Sequence, residues 1–203
     1  MWKQFKPTIL FLAKFFGIYI LFSVLYGFFI QQYDSQEPAQ VDPITSIVAD
    51  HCTRGASLVG YGTILIPNEH LRRETAPEQT FHSLWLDDQY AVSIEEGCNG
   101  INIMILFTAF VVAFGGKGLN MAVFIPLGWV FIHLANLSRL FLLSYLNISL
   151  ESQAAFHFFH KYGFTAVLYL AILLLWYFWV MHWNGLSGKF FRGNSDPEST
   201  ASK

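Results

Sequence analysis

Four long apolar blocks constrain the fold of this chain more than any other feature. They cover approximately residues 8–31, 98–116, 119–146 and 163–183. A helix that crosses the hydrocarbon core of a bilayer needs roughly 20 mostly apolar residues. Apolar residues make up 54% of the chain and charged residues only 13%, a balance untypical of a soluble domain. The blocks therefore predict an all-α integral membrane protein with about four transmembrane helices.

The positive charges predict how these helices are oriented. With the N-terminus and C-terminus in the cytoplasm, most Lys and Arg residues close to a span lie on the cytoplasmic side, as the positive-inside rule requires. These residues are Lys3, Lys6, Lys14, Lys117, Lys189, Arg192 and Lys203. The same orientation places the long polar loop, residues 34–97, outside. In a bacterium this would be a multi-pass protein of the inner membrane whose loop faces the periplasm.

The outer loop is predicted to form a small subdomain. Residues 81–94 carry short apolar runs on either side of Asp87 and Asp88, a pattern that is consistent with a β-hairpin. Residues 1–183 are predicted to form one membrane-embedded domain. Residues 184–203 are rich in Gly, Ser and Asn, and this composition predicts a disordered cytoplasmic tail. No nucleic-acid-binding pattern, internal repeat or Gly-rich phosphate loop is present in the sequence.

Three kinds of reactive side chain are predicted to reach the outer membrane surface. Cys98 lies at the outer end of the second span, which descends toward the cytoplasm. The third span ascends, and Arg139 lies 20 residues beyond Leu119, or about 30 Å higher in a helix. His157 and His160 directly precede the fourth span on the same side. A thiol, a guanidinium and an imidazole are therefore expected at one depth.

This combination suits nucleophilic catalysis. A helix N-terminus and a nearby cation favour the thiolate form of a cysteine such as Cys98. Asn99 and Gly100 suit a tight entry into the helix. A histidine can act as general acid and base, and Arg139 can stabilise an oxyanion or pair with a substrate carboxylate. Asn136 is expected on the same helix face as Arg139, three residues away.

Three segments resemble the signature motifs of the exosortase/archaeosortase family. Residues 96–101, Glu-Gly-Cys-Asn-Gly-Ile, resemble its Cys motif, and residues 136–139, Asn-Leu-Ser-Arg, resemble its Arg motif. Residues 160–163, His-Lys-Tyr-Gly, resemble its His motif, and the order along the chain agrees. The short length and the Lys-Gln-Phe-Lys-Pro start are most similar to exosortase F. Larger exosortases have more spans, so their way of docking substrates can differ.

The resemblance implies a membrane cysteine protease or transpeptidase that needs no cofactor. Cys98 would be the nucleophile, and Arg139 would stabilise the oxyanion or position the substrate. His160 would be the general acid and base, with His157 as the alternative. Asn99, Gly100 and Asn136 would support the site. The implied substrate is a membrane-anchored protein with a C-terminal sorting signal, cleaved at the outer face of the inner membrane through a thioacyl-enzyme.

Other interpretations of the same residues stay open at the level of sequence. Cys52 is the other cysteine, and a Cys52–Cys98 disulfide would fit a non-enzymatic scaffold for export of surface proteins or polysaccharides. A transporter is a weaker alternative, because no inverted repeat is evident. The spacing of the histidines in the outer loop fits no familiar metal-ligand pattern, so no metal is expected. Membrane lipid, and in some arrangements an accessory membrane protein, would be the remaining partners.

Overall fold

The computed structural model describes residues 2–35, 40–67, 80–149 and 164–184. Its elements are, in chain order, α1 (Trp2–Asp34), α2 (Pro43–Leu58), β1 (Thr63–Pro67), β2 (Phe81–Leu86), β3 (Gln89–Glu95), a 3₁₀ turn (Glu96–Cys98), α3 (Ile101–Phe114), α4 (Gly118–Ser149) and α5 (Phe164–Phe178), which continues as a π-helical turn (Trp179–Trp183). The prediction of a mainly helical membrane protein with a small sheet in its loop is confirmed.

Three of the described helical segments are long and apolar enough to cross a bilayer. They are Phe5–Asp34, Gly118–Ser149 and Ala166–Trp183, and they correspond to the first, third and fourth predicted spans. The second predicted span, 98–116, is too long, because its helix α3 contains only 14 residues. Gly100 and Gly115 bound it with φ angles of 83° and 78°, which are left-handed conformations that interrupt a helix. At about 1.5 Å per residue, α3 is shorter than a hydrocarbon core of about 30 Å.

Helix α4 serves both the membrane bundle and the outer subdomain. Its 32 residues correspond to about 48 Å, which exceeds the thickness of the hydrocarbon core. Leu140 belongs to the core of the outer subdomain and is fully buried there. Further along, the Asn147 amide donates a hydrogen bond of 2.9 Å to the carbonyl oxygen of Ala91 in β3. One continuous helix thus links the bilayer to the sheet.

The sheet contains the predicted hairpin and one additional strand. Strands β2 and β3 pair antiparallel, and Leu86 lies opposite Gln89. Asp87 and Asp88 form the two-residue turn between them with φ angles of 49° and 63°. Two positive φ angles in a two-residue loop are typical of a type I′ turn, which matches the twist of a hairpin. Strand β1, which the sequence did not predict, pairs antiparallel with β2.

Helix α2 was not predicted, and it closes the outer subdomain. The Asp42 carboxylate accepts hydrogen bonds from the backbone N–H groups of Ile44 and Thr45 at 2.9 and 3.0 Å, and Pro43 occupies the first turn. Both are strong helix-start features. The helix packs its apolar face against the sheet and α4, and the resulting core consists of Val48, Ala49, Cys52, Ala56, Leu84, Leu86, Ala91, Val92, Ile94 and Leu140.

A second core joins α3, α4 and α5 within the membrane bundle. It is mainly aromatic and consists of Phe107, Val111, Phe124, Ile132 and Trp179. The ring of Phe107 lies directly on Gly128, where an added Cβ atom would clash with the ring. Asn184, the first residue of the predicted tail, is buried here, and its carbonyl oxygen accepts a hydrogen bond of 3.0 Å from the Lys117 N–H group. Residues 185–203 lie outside the described residues, so the disordered tail stays a prediction.

Candidate active site

Cys98 ends the 3₁₀ turn that leads from β3 toward α3. The hairpin delivers the chain to this turn, and α3 begins three residues later at Ile101. The thiol is neither buried nor fully exposed, and the residue packs against the core of the outer subdomain. Cys98 therefore lies where the subdomain formed by α2 and β1–β3 meets the N-terminal end of α3.

Asn99 holds this turn against two other helices. It is 1% exposed, and its amide group donates hydrogen bonds to the hydroxyl oxygens of Tyr26 in α1 at 2.6 Å and Thr45 in α2 at 3.0 Å. Its side-chain oxygen accepts a hydrogen bond of 3.0 Å from the Ile101 N–H group and so caps the first turn of α3. A buried amide with satisfied donors and acceptor fixes the path of the chain beside Cys98.

Asn136 connects the Cys98 turn to Arg139. It is fully buried in α4, and its Nδ2 donates a hydrogen bond of 2.7 Å to the carbonyl oxygen of Cys98. Its Oδ1 lies 3.5 Å from Nη1 of Arg139, at the outer limit for a hydrogen bond. Arg139 also has a buried Nε without a hydrogen-bond partner among the described residues. The guanidinium therefore retains donor capacity close to the Cys98 turn.

Gly100 gives the chain the backbone conformation with which it enters α3. Its φ of 83° is a left-handed conformation, which costs other residues roughly 1–2 kcal/mol. A Cβ atom at this position would lie 3.5 Å from the Asn136 side chain, which is an ordinary contact distance. The requirement for glycine here comes from backbone conformation rather than from lack of space. Cys98, Asn99, Gly100, Asn136 and Arg139 thus form one connected group.

The comparison with family models now decides the class of protein. The model of the family described as transmembrane exosortase matches residues 5–177, which is most of the chain. The chain belongs to the transmembrane exosortase family. No curated protein and no solved structure shows a significant match to it. Exosortases are known as membrane transpeptidases or proteases, and the family implies a membrane-associated protein as substrate.

The two cysteines of this exosortase-family chain occupy different environments. Both are free thiols, so the Cys52–Cys98 disulfide of the scaffold alternative is not formed in the structure. Cys52 is 3% exposed in the core beneath α2, and burial raises the pKa of its thiol to about 11. A thiol in such an environment is a poor nucleophile at neutral pH because little of it is thiolate. Cys98 is the more accessible of the two.

Acidic side chains approach the Cys98 turn from three directions. Partial burial raises the pKa of the Glu96 carboxyl group, and the negative charges of Asp34, Asp42 and Glu95 raise it further. A carboxyl group whose pKa is raised binds a proton more readily than an ordinary glutamate. The entrance to the turn therefore carries a concentration of acidic groups.

The candidate histidines lie in a different part of the chain. His157 and His160 are outside the described residues, so their distances from Cys98 and the choice between them stay predictions. Among the described residues, Nδ1 of His51 in α2 lies 2.9 Å from Nε2 of His133 in α4, and this imidazole pair ties the two helices. No group of three or more His, Cys, Asp or Glu that could hold a metal ion occurs in the part of the chain that the structure describes.

Sequence reasoning missed two members of the group around Cys98. Tyr26 belongs to an apolar span and Thr45 to a helix that was not predicted, and both meet Asn99 only through tertiary packing. The one local feature that indicated a contact was the hydroxyl group of Tyr26, which lies near the predicted outer end of the first span. That sign does not identify a partner, because many interfacial tyrosines serve only as membrane anchors.

Proposed function

We propose that this exosortase-family protein is a cysteine protease or transpeptidase, most similar to exosortase F, that uses Cys98 as its nucleophile. Its substrates would be exported, membrane-anchored proteins with a C-terminal sorting signal, processed at the outer face of the bacterial inner membrane. The observation that carries this proposal is the hydrogen-bonded link from the Cys98 carbonyl group through Asn136 to Arg139. It connects Cys98 and Arg139, which lie in two of the three segments that resemble the family's motifs.

The proposed reaction has two acyl-transfer steps. The Cys98 thiolate attacks the carbonyl carbon of the scissile peptide bond, and Arg139 stabilises the oxyanion that forms. The C–N bond then breaks, the leaving amine takes a proton from His160 or His157, and a thioester on Cys98 remains. An acceptor nucleophile or water next gives its proton to the same histidine and attacks the thioester. The new acyl product leaves, and the Cys98 thiolate is regenerated.

Cysteine substitution is the direct test of this function. A membrane-anchored reporter with a C-terminal sorting signal is expressed with each variant, and its cleavage is followed by gel mobility and mass spectrometry. Cys98→Ala should abolish cleavage because the thioester cannot form. Cys52→Ala is the matched control and should retain cleavage, because Cys52 is a buried packing residue. A Cys98→Ala variant that cleaves at the wild-type rate would refute the mechanism.

Two further measurements separate the parts of the proposal. Single His157→Ala and His160→Ala variants should differ, and the one that loses cleavage identifies the general acid and base. A maleimide that cannot cross the membrane should label Cys98 from the outer side and label Cys52 slowly or not at all. Labelling of Cys98 only after the membrane has been permeabilised would contradict the proposed orientation.

A further inference from the structure

A lateral groove opens on the membrane bundle directly below the Cys98 turn. It encloses about 400 Å³ between α1, α3 and α4, and its lining exposes apolar atoms only. Phe22 of α1 and Trp129 of α4 form its sides. Its floor is a stripe of α3 side chains at helical spacing, namely Ile101, Met104, Ile105 and Thr108. Such a stripe is the pattern with which one helix contacts another.

The polar groups in the wall of the lateral groove are already satisfied. The Trp129 indole N–H group donates a hydrogen bond of 2.9 Å to the Thr108 hydroxyl oxygen. That hydroxyl group donates in turn to the carbonyl oxygen of Met104 at 2.7 Å. An apolar partner can therefore fill the groove without leaving a polar group unpaired, which is a strong requirement inside a bilayer. On the adjoining face of α3, Phe107 packs on Gly128 and leaves no comparable space.

The position of the lateral groove relates it to the reaction. Its upper end is Ile101, three residues beyond Cys98, and its lower end is Thr108. At about 1.5 Å per residue, it descends roughly 10 Å into the membrane from the level of the nucleophile. A membrane-anchored substrate must bring its scissile bond to the thiol while its apolar segment stays in the bilayer. The groove offers that segment a surface beginning one helical turn away.

We infer that the lateral groove receives the apolar membrane segment of the protein substrate and so aligns the scissile bond with Cys98. This inference rests on the proposed function, because it assigns the groove to the same substrate. The segment would lay one face of a helix along the α3 stripe for about two turns. Small side chains on that face would allow the closest approach, because helix association in membranes depends on close packing. An acyl chain of a phospholipid is the competing occupant.

Site-specific photo-crosslinking tests the docking separately from the chemistry. A benzophenone amino acid is placed at Ile105, inside the groove, or at Leu170, a lipid-exposed position of α5 that does not line it. Both variants carry Cys98→Ala, and the probe is a single-span reporter with an apolar C-terminal segment. The Ile105 variant should crosslink the reporter at least several-fold more than the Leu170 variant. A reporter without the segment should not crosslink. Adducts with phospholipid alone, or equal crosslinking at both positions, would overturn the inference.

A kinetic variant distinguishes failure of the groove from failure of the proposed function. Met104→Trp narrows the groove and should raise KM for cleavage about tenfold with little change in kcat. This pattern is expected because the groove would bind the substrate and the transition state equally well, so narrowing it would weaken both to the same extent. Leu170→Trp, at a lipid-exposed position of α5 outside the groove, is the control and should change neither quantity. Unchanged KM in Met104→Trp, with Cys98-dependent cleavage intact, would reject the groove and leave the function standing. If cleavage did not depend on Cys98 but crosslinking still required the apolar segment, the proposed function would be rejected and the docking role of the groove would still be supported.

Discussion

The two ends of helix α3 are held by different kinds of interaction. At the Cys98 end, buried amide groups fix the chain, because Asn99 bonds α1 and α2 and Asn136 bonds the Cys98 carbonyl oxygen. From the middle of the helix toward its opposite end, aromatic side chains pack closely, with Phe107 lying on Gly128 and the Phe110 ring stacked on Trp176. In a membrane the hydrophobic effect does not drive helices together, so close packing and hydrogen bonds must do so. The contrast indicates that packing stabilises the bundle at one end, whereas hydrogen bonds position the proposed nucleophile, Cys98, at the other.

The largest expected effect comes from disturbing the packed end. Gly128→Leu inserts a side chain where Phe107 already lies and should destabilise the bundle by about 1–3 kcal/mol, or more if the ring cannot move. Thermal unfolding of the detergent-solubilised protein should show a lower midpoint. Gly17→Leu in α1 is the control, because an added Cβ atom there meets nothing within 4 Å. Equal midpoints for the two variants would mean that the Phe107 contact does not hold the bundle.

At the amide end, an effect on stability of comparable or smaller size is expected, together with a marked effect on cleavage. Asn136→Ala leaves the Cys98 carbonyl oxygen without its partner, which costs about 1–3 kcal/mol for a buried group. Where this hydrogen-bond energy serves to hold Cys98 in its reactive position, its loss should slow cleavage by roughly 10–100-fold, because about 1.4 kcal/mol corresponds to a tenfold change in rate. Asn147→Ala is the control, since Asn147 in the same helix also bonds a backbone carbonyl group. Comparable cleavage rates for the two variants would show that the Asn136 hydrogen bond does not contribute to catalysis.

The smallest expected effect is a pH dependence of the outer subdomain, because one proton is involved. His82 bonds the Ser46 hydroxyl group at 3.0 Å, and burial lowers its pKa despite the opposing charge of Asp42. The folded state thus favours neutral His82. Its contribution to stability is present above the ordinary histidine pKa of about 6.5 and is lost as pH falls through the lowered value.

Unfolding midpoints at about pH 7.5 and about pH 5.5, on either side of the ordinary histidine pKa, measure this contribution. The midpoint of the wild-type protein should fall at the lower pH. In His82→Gln the fall should be smaller, since a glutamine can still donate to Ser46 and has no proton to gain. His182→Gln, at an exposed position in the last helical turn, is the control and should resemble the wild type. An identical fall in His82→Gln would assign the pH dependence to other groups.

Elements with a strong local pattern could be predicted from the sequence. Three spans and the hairpin at Asp87 and Asp88 follow from apolar length, short apolar runs and turn chemistry, all of which are local properties. Helix α2 could also have been found, because Asp42 followed by Pro43 is a helix-start signal. The predicted second span was too long because it included residues 98–100 and 115–116, which lie outside the helix. Its true limits depend on the φ angles of Gly100 and Gly115.

Only some members of the candidate site could be predicted from the sequence, and its connections could not. Cys98, Asn136 and Arg139 were expected at one depth from helix arithmetic alone. The hydrogen bonds from Asn99 to Tyr26 and Thr45 were not foreseeable, because they join segments that are 73 and 54 residues apart. Such contacts depend on how α1 and α2 dock, and no local pattern encodes that docking. The histidine of the proposed site stays a prediction from its motif.

The shortness of α3 affects the lipid around the nucleophile. With 14 residues, about 21 Å, it stands beside helices long enough to span the whole hydrocarbon core. A bilayer adapts to a short apolar stretch by thinning locally. Thinning beside α3 would bring phospholipid headgroups and water closer to the Cys98 turn. Under the proposed function, the scissile peptide bond would then meet solvent instead of hydrocarbon, and the cleavage rate would depend on the thickness of the membrane.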